Sequence, residues 1–325
     1  MENEAMPNLA VDYFKRGNKY YSEKKYDLAI DDYNEVIRLN PNDYMAHYNI
    51  ALSYQYGKKD LDSAIFHYSE VLQINPKHIK AYYQRGLIFS NVWANHFNCE
   101  KAIADLNEVI LLSPEHYEAY VQRGYAYSRV NIEKSILDYT EAIRINPDYV
   151  QAYSMRGSAY EGKEEYDNAI MDYSKIISID SNDALAYVYR ASVYNKKGDN
   201  DKAISDFVKA LMLSPYNYQF WQEYAAIKKL SPEEMAESSL CVKHAEEYSK
   251  RDECDRAIDE YTKALFLNPS SAVSYFSKRG LIYHFKKKDY DMAIKDFEVT
   301  VRLAPDEDDY REYLDRAIIA RERVK

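Results

Sequence analysis

Glycine is scarce in this chain, with eight residues in 325, and no group of them is close enough together to cradle a phosphate. Cysteine is scarcer. Cys99, Cys241 and Cys254 have no metal-ligand spacing and are too few for a disulfide framework, which fits a reducing compartment. Cys241 and Cys254 either pair or, as free cysteine commonly does, fill apolar gaps as small buried thiols. No stretch of about 18 apolar residues is present, so no membrane insertion is expected. The opening "MENEAMPNLAVDYF" has neither a basic start nor an apolar run, so no signal peptide is expected, and the expected location is cytoplasmic. Basic residues also fall short, 43 Lys and Arg against 53 Asp and Glu. The net charge of −10 argues against nucleic acid or an anionic membrane as partner.

Chemistry-bearing groupings are missing too. The seven histidines are scattered, and "HAEEY" at 244–248 lacks the spacing of a zinc helix, so no metal and no cofactor are expected. The carboxylates lie on helical faces where solvation accounts for them. No catalytic residues are assigned, and the chain reads as a non-enzyme.

What is present is a ruler. "LNP" at Pro41, "INP" at Pro76, "LSP" at Pro114, "INP" at Pro147, "LSP" at Pro215, "LNP" at Pro269 and "LAP" at Pro305 close similar segments, with "IDS" at Ser181 on the missing beat. The spacings are 35, 38, 33, 34, 34, 54 and 36 residues. A period near 34 means stacked helical hairpins that bury their apolar faces on one another.

The segment "VQAYSMRGSAYEGKEEYDNAIMDYSKIISIDSND" (150–183) carries an aromatic at place 4 (Tyr153), a small residue at place 8 (Gly157), and then Tyr160, Ala169, Tyr173 and Ile176 at places 11, 20, 24 and 27. Segments beginning at 10, 44, 79, 117, 184, 238 and 273 fit the same frame. This pattern resembles the tetratricopeptide repeat family over nearly the whole chain. The resemblance implies an all-α, right-handed superhelical solenoid of helix-turn-helix hairpins with a C-terminal capping helix. The divisions expected are a tail at 1–9, six repeats at 10–217, an irregular helical insert at 218–237, two repeats at 238–307 and the cap at 308–325. The third repeat has four extra residues in its turn, around 91–101. Within the insert, one helix ends near Lys229 and Ser231 caps the next, with Pro232 at its first position.

One place departs from an apolar norm. Place 7 is Arg16, Arg85, Arg123, Arg156, Arg190 and Arg279, and place 23 is respectively Asp32, Asp105, Asp138, Asp172, Asp206 and Asp296. The repeat with Ile50 has His67 there, and the one with His244 has Glu260. The arginine and the aspartate travel together, so they are expected to pair between helices as scaffold rather than to grasp an acidic ligand.

The resemblance implies protein binding on a concave groove lined by the first helices. The residues it places there are Asn18, Tyr48, Asn49, Lys80, Tyr83, Gln84, Gln122, Tyr125 and Tyr189. Rings offer contact area and amides can bond to an extended backbone in either sense. The expected partner is a protein or peptide. Chaperone-binding members of the family clamp a C-terminal carboxylate with Lys, Asn, Asn, Lys and Arg. Asn18, Asn49 and Lys80 match, whereas Phe14 and Gln84 stand where the first lysine and the arginine belong. A carboxylate-clamp co-chaperone is therefore an alternative. Another is a homo-oligomer assembling through the convex face or the insert.

Overall fold

The "Asn-Pro" and "Ser-Pro" pairs that close the repeats each end a helix, because a residue before proline is pushed out of the helical region. Asn40, Asn75 and Asn146 all cap their helices in extended backbone, and each side chain accepts the backbone N–H two residues on. The next first helix then starts on an acceptor side chain two or three residues later. Asp43, His78, His116, Asp183 and Asn217 each accept from the backbone N–H three residues ahead. The computed structural model, which describes residues 5–91 and 97–324, turns this punctuation into 18 α-helices with no strand among the described residues. The extra turn residues of the third repeat fall mostly on 92–96, outside the described residues.

The chain divides into two compact units, residues 1–163 and 164–325. The first holds α1 (Ala5–Ser22), α2 (Tyr26–Leu39), α3 (Tyr44–Leu52), α4 (Leu61–Ile74), α5 (Ile79–Ser90), α6 (Cys99–Leu112), α7 (Tyr117–Tyr127), α8 (Ile132–Ile145) and α9 (Val150–Gly162). Successive helices pair as hairpins, each hairpin packs on the next, and α9 closes the unit against α8 and α7. The second unit holds α10 (Tyr166–Ile179), α11 (Ala184–Lys197), α12 (Asn200–Leu213), α13 (Tyr218–Ile227), α14 (Pro232–Lys250), α15 (Cys254–Leu267), α16 (Ala272–Leu281), α17 (Tyr290–Leu303) and α18 (Asp308–Val324). Its hairpins are α11/α12, α14/α15 and α16/α17, with α18 packed on α17. Helix α1 begins at Ala5, inside the stretch read as a tail, and α14 runs unbroken through residue 238.

Place 20 is a fully buried alanine in seven of the second helices (Ala29, Ala64, Ala102, Ala169, Ala203, Ala257, Ala293), so the paired helices approach closely. Place 24 fills the space between them with a buried ring such as Tyr33, Tyr139 or Phe297. A Cβ added at Gly124 would meet the Tyr139 ring at 2.7 Å, and one at Gly280 would meet Phe297 at the same distance, so the small place 8 is required by the large place 24. In the two repeats whose place 20 falls one residue late, the first helix ends in a π turn, Ser53–Lys58 and Ile282–Lys287, which absorbs the additional residue.

The arginines pair as expected. Arg16, Arg85, Arg123, Arg190 and Arg279 each donate Nε and Nη2 to both oxygens of Asp32, Asp105, Asp138, Asp206 and Asp296, at 2.6–2.9 Å. The sixth expected pair, Arg156 with Asp172, has its members in different units. The sequence did not signal a third bond. Nη1 donates to the second helix of the preceding repeat, at Ser69 for Arg85, Asn107 for Arg123, Thr140 for Arg156, Ser174 for Arg190 and Thr262 for Arg279, at 2.7–3.0 Å. Each acceptor directly follows place 24. An aromatic three residues before the arginine covers the guanidinium, as Tyr120 covers Arg123 at 5.4 Å and Phe276 covers Arg279 at 5.0 Å.

Burial of these pairs follows what lies beside them. The Arg16 side chain on α1 is 55% exposed, and that of Arg279 is 8% exposed with Asp296 fully buried. Helix α13, read from sequence as an irregular insert, packs in the core of the second unit. Trp221 lies edge-on to Phe276 at 5.5 Å and donates its indole N–H to the Pro215 carbonyl, while the Tyr224 hydroxyl donates to the Phe266 carbonyl. Ser231 caps α14 with a complete capping box to Glu234, whose carboxylate also takes Lys228 at 2.6 Å and is held below its usual range by that bond. Cys99, Cys241 and Cys254 are free thiols. Cys241 is buried and Cys254 only half-buried.

Candidate functional site

The first helices of the first unit present two short chains of side-chain hydrogen bonds. In one, Asn18 on α1 accepts at Oδ1 from the buried Tyr33 hydroxyl (2.8 Å) and from Asn49 Nδ2 on α3 (3.1 Å). In the other, Gln84 on α5 accepts at Oε1 from the Tyr56 hydroxyl (2.8 Å) and from Gln55 Nε2 (3.2 Å), and Gln55 in turn accepts from the buried Tyr68 (2.6 Å). Both amide oxygens are therefore taken twice by the protein. What Asn18 and Gln84 turn outward is nitrogen, so this face offers donors to an acceptor-bearing ligand.

The rings differ in what they leave free. Tyr83 on α5 is half-buried against His116, with ring centroids 4.8 Å apart, and burial pushes its hydroxyl up to about 12. Tyr125 on α7 helps line a depression of about 300 Å³ together with Arg129, Ile132, Tyr139 and Met155. Gln122 is half-buried on α7, and Lys80 is exposed at the start of α5. Tyr48 departs from the expectation of an open groove ring. It is 9% exposed, wedged against Tyr68 and His78, and acts as packing under the face. Tyr189 is 41% exposed beside Tyr173 and belongs to the second unit.

Phe14, standing where a clamp lysine would be, lines a largely apolar cavity of about 470 Å³ with Val11, Val36, Tyr44 and Met45. Of the residues matching the clamp pattern, Asn18 and Asn49 are joined by a hydrogen bond, and Lys80 lies on α5. Gln55 and Tyr56 were missed by sequence reading. They lie in the π turn at Ser53–Lys58, whose only sequence signal is one residue more than the period between the place-8 and place-20 alanines, Ala51 and Ala64. Among the described residues no group of three or more His, Cys, Asp or Glu converges on a metal-sized space, and no helix is long and apolar enough to cross a membrane.

Family models agree with this architecture. The tetratricopeptide repeat model matches residues 46–78, 150–183 and 184–217, and a further TPR repeat model matches 17–55. The chain carries tetratricopeptide repeats. Such repeats point to protein–protein interaction. The repeat protein is similar in structure to a tetratricopeptide repeat protein from Parabacteroides merdae, with a TM-score of 0.55 and 17% identity over 96% of this chain and 99% of that one. It also resembles Pseudomonas aeruginosa PilF, with a TM-score of 0.54 and 17% identity over 69% of this chain and all of the other. A third solved structure, YrrB, is described as a TPR protein with an unusual peptide-binding site (TM-score 0.50, 17% identity, 59% of this chain and 96% of that one). At these identities the likeness shows the fold alone. In sequence, the repeat protein is 53% identical over 36 residues to the Hsp70-Hsp90 organising protein of Plasmodium falciparum. It is also 44% identical over 48 residues to Hsp70-Hsp90 organizing protein 1 of Arabidopsis thaliana. It spans only 6% and 8% of those two proteins.

Proposed function

We propose that the exposed face of α1, α3, α5 and α7 binds an extended segment of a protein partner, without catalysis, as part of a scaffold or adaptor. The observation that carries this reading is the doubly occupied oxygens of Asn18 and Gln84. Amides whose acceptors are used internally are pre-set as donors, and an extended backbone supplies carbonyl acceptors at regular spacing. Tyr83, Gln122 and Tyr125 flank the donors with contact area. Phe14 and Gln84 in place of two clamp cations weigh against a ligand held mainly by its terminal carboxylate, since bidentate arginine gives such sites much of their strength.

The reading is tested by selecting peptides from a displayed random library on the full chain. They are then measured by fluorescence anisotropy against the wild type and a Tyr83→Glu/Tyr125→Glu variant of unchanged circular dichroism. Selected peptides should bind the wild type at least about tenfold more tightly than the variant. Equal binding by both would place the site elsewhere. The carboxylate-clamp reading, which Asn18, Asn49 and Lys80 support, has a separate signature. Amidating the peptide C-terminus or introducing Lys80→Ala would abolish binding under the clamp reading and leave it within about threefold under ours.

A further inference from the structure

Hairpin α3/α4 is the one repeat of the first unit that lacks the arginine and the aspartate. Ile50 and His67 stand in their places, and the polar contact between the helices is instead made by two imidazoles, His47 Nδ1 against His67 Nδ1 at 3.0 Å. That contact requires one nitrogen to donate and the other to accept. Whichever ring accepts carries its own proton on the other nitrogen, so a second proton on it enters at Nδ1 and leaves two N–H groups facing each other. A third histidine sits at the same junction. His78 accepts the Ala81 N–H at Nδ1 (3.1 Å) as the N-cap of α5, and its ring lies on Tyr48 and Tyr44 of α3 at 4.9 and 5.5 Å. Protonation at Nδ1 turns that acceptor into a donor and removes the cap.

The groups facing these rings offer limited compensation for a proton. His47 has Glu70 of α4 and Asp43 at the start of α3 nearby. His67 is enclosed by Tyr54, Phe66 and His47, and His78 has Lys80 on its own helix. Burial holds all three below the usual histidine range, His67 down to about 4. His116, the N-cap of α7, differs in its surroundings, because the Glu118 carboxylate lies 3.1 Å from its Nδ1.

We infer that α3/α4 is a proton-operated catch: taking up protons at His47, His67 and His78 opens this hairpin and uncaps α5 while the arginine-bridged hairpins stay closed. The opening itself is independent of any ligand. Its consequence rests on the proposed binding face, because Asn49 lies on α3 and Lys80, Tyr83 and Gln84 on α5. For histidines whose folded-state affinity for protons is depressed, the stability they confer is complete above the unfolded value of about 6.5 and is lost as pH falls toward their folded values.

The experiment is hydrogen–deuterium exchange on the full chain at about pH 7.5 and about pH 5.5, corrected for intrinsic exchange. Opening of residues 44–74 should rise by about tenfold or more, and that of 117–145 by less than about twofold. An equal rise in both segments, or none in 44–74, would overturn the inference. The variant H47Y/I50R/H67D installs the bridge used elsewhere, with Asn34 on α2 at the position that receives Nη1 in other repeats, and should remove the difference. If that variant fails to fold, titrating the wild-type histidine ring protons by NMR decides the matter. A His67 midpoint at or above about 6.5 refutes the catch. Loss of exchange protection with retention of a selected peptide would instead sustain the catch and refute the binding face.

Discussion

Replacing Arg279 by methionine strands the carboxylate of Asp296, which is fully buried between α16 and α17 under the cover of α13. Removing one member of a buried pair leaves an uncompensated charge, at a cost of about 3–5 kcal/mol. Burial already pushes the Asp296 carboxyl upward against the pull of Arg279, so much of the pair's attraction is spent offsetting desolvation. Arg279→Met with Asp296→Leu should therefore lie within about 1 kcal/mol of the wild type, the coupling between the two changes recovering most of the single-mutant loss. Arg16→Met makes the contrast. Its guanidinium is largely in water, and the loss there should be much the smaller of the two. Urea unfolding followed by circular dichroism reads these out. With a slope of roughly 2 kcal/mol per molar, the Arg279 single mutant shifts its transition by about 2 M and the Arg16 mutant by far less. Coincident midpoints for Arg279→Met and wild type would refute the reasoning, as would a double mutant whose loss is the sum of the singles.

Lys59 and Lys288 follow the two π turns at φ 57° and 56°, where a side chain is strained, so Lys59→Gly and Lys288→Gly should each raise stability by up to about 1 kcal/mol in the same assay. Gly280→Ala should cost about 1–3 kcal/mol because its Cβ would strike Phe297, whereas Gly162→Ala, with its nearest neighbour at 3.7 Å, should be neutral or stabilising by about 0.5 kcal/mol. Ser231→Ala should lower the second unit's melting temperature through loss of about 1 kcal/mol of capping energy, and Ser231→Asp should restore it.

Helix type and spacing were legible because each rule acts over a few residues. Proline stops a helix, the following Asp, His or Asn starts one, and the alanine, glycine and aromatic places set how near two helices can come. The pairing of Arg123 with Asp138 was legible too, since the two change together along the chain. Its third partner, Asn107, was not, because it belongs to the neighbouring repeat and varies among Ser, Thr and Asn. The common property, an acceptor one residue after place 24, shows only once the helices are stacked. The role of α13 was equally hidden. "YQFWQEYAAI" shows an amphipathic helix, but that Trp221 meets Phe276 is settled by packing over more than fifty residues of chain. On the candidate face, Asn18 and Asn49 were found by register, whereas Gln55 and Tyr56 required the π turn that shifts the register by one.

The Nη1 bond also sets which repeats can be exchanged. Hairpin α7/α8 carries an arginine that reaches back, Arg123, and an acceptor that serves the next repeat, Thr140, so copies of it placed in tandem would fit one another. Hairpin α3/α4 offers Ser69 forward and nothing backward, and can begin such a series but not continue one. Hairpin α11/α12 reaches back with Arg190 and has Val208 where an acceptor would serve a successor, so it can only end one. A chain that grew by duplicating its middle repeats would keep these complementary ends, and its length could change without redesign of any junction.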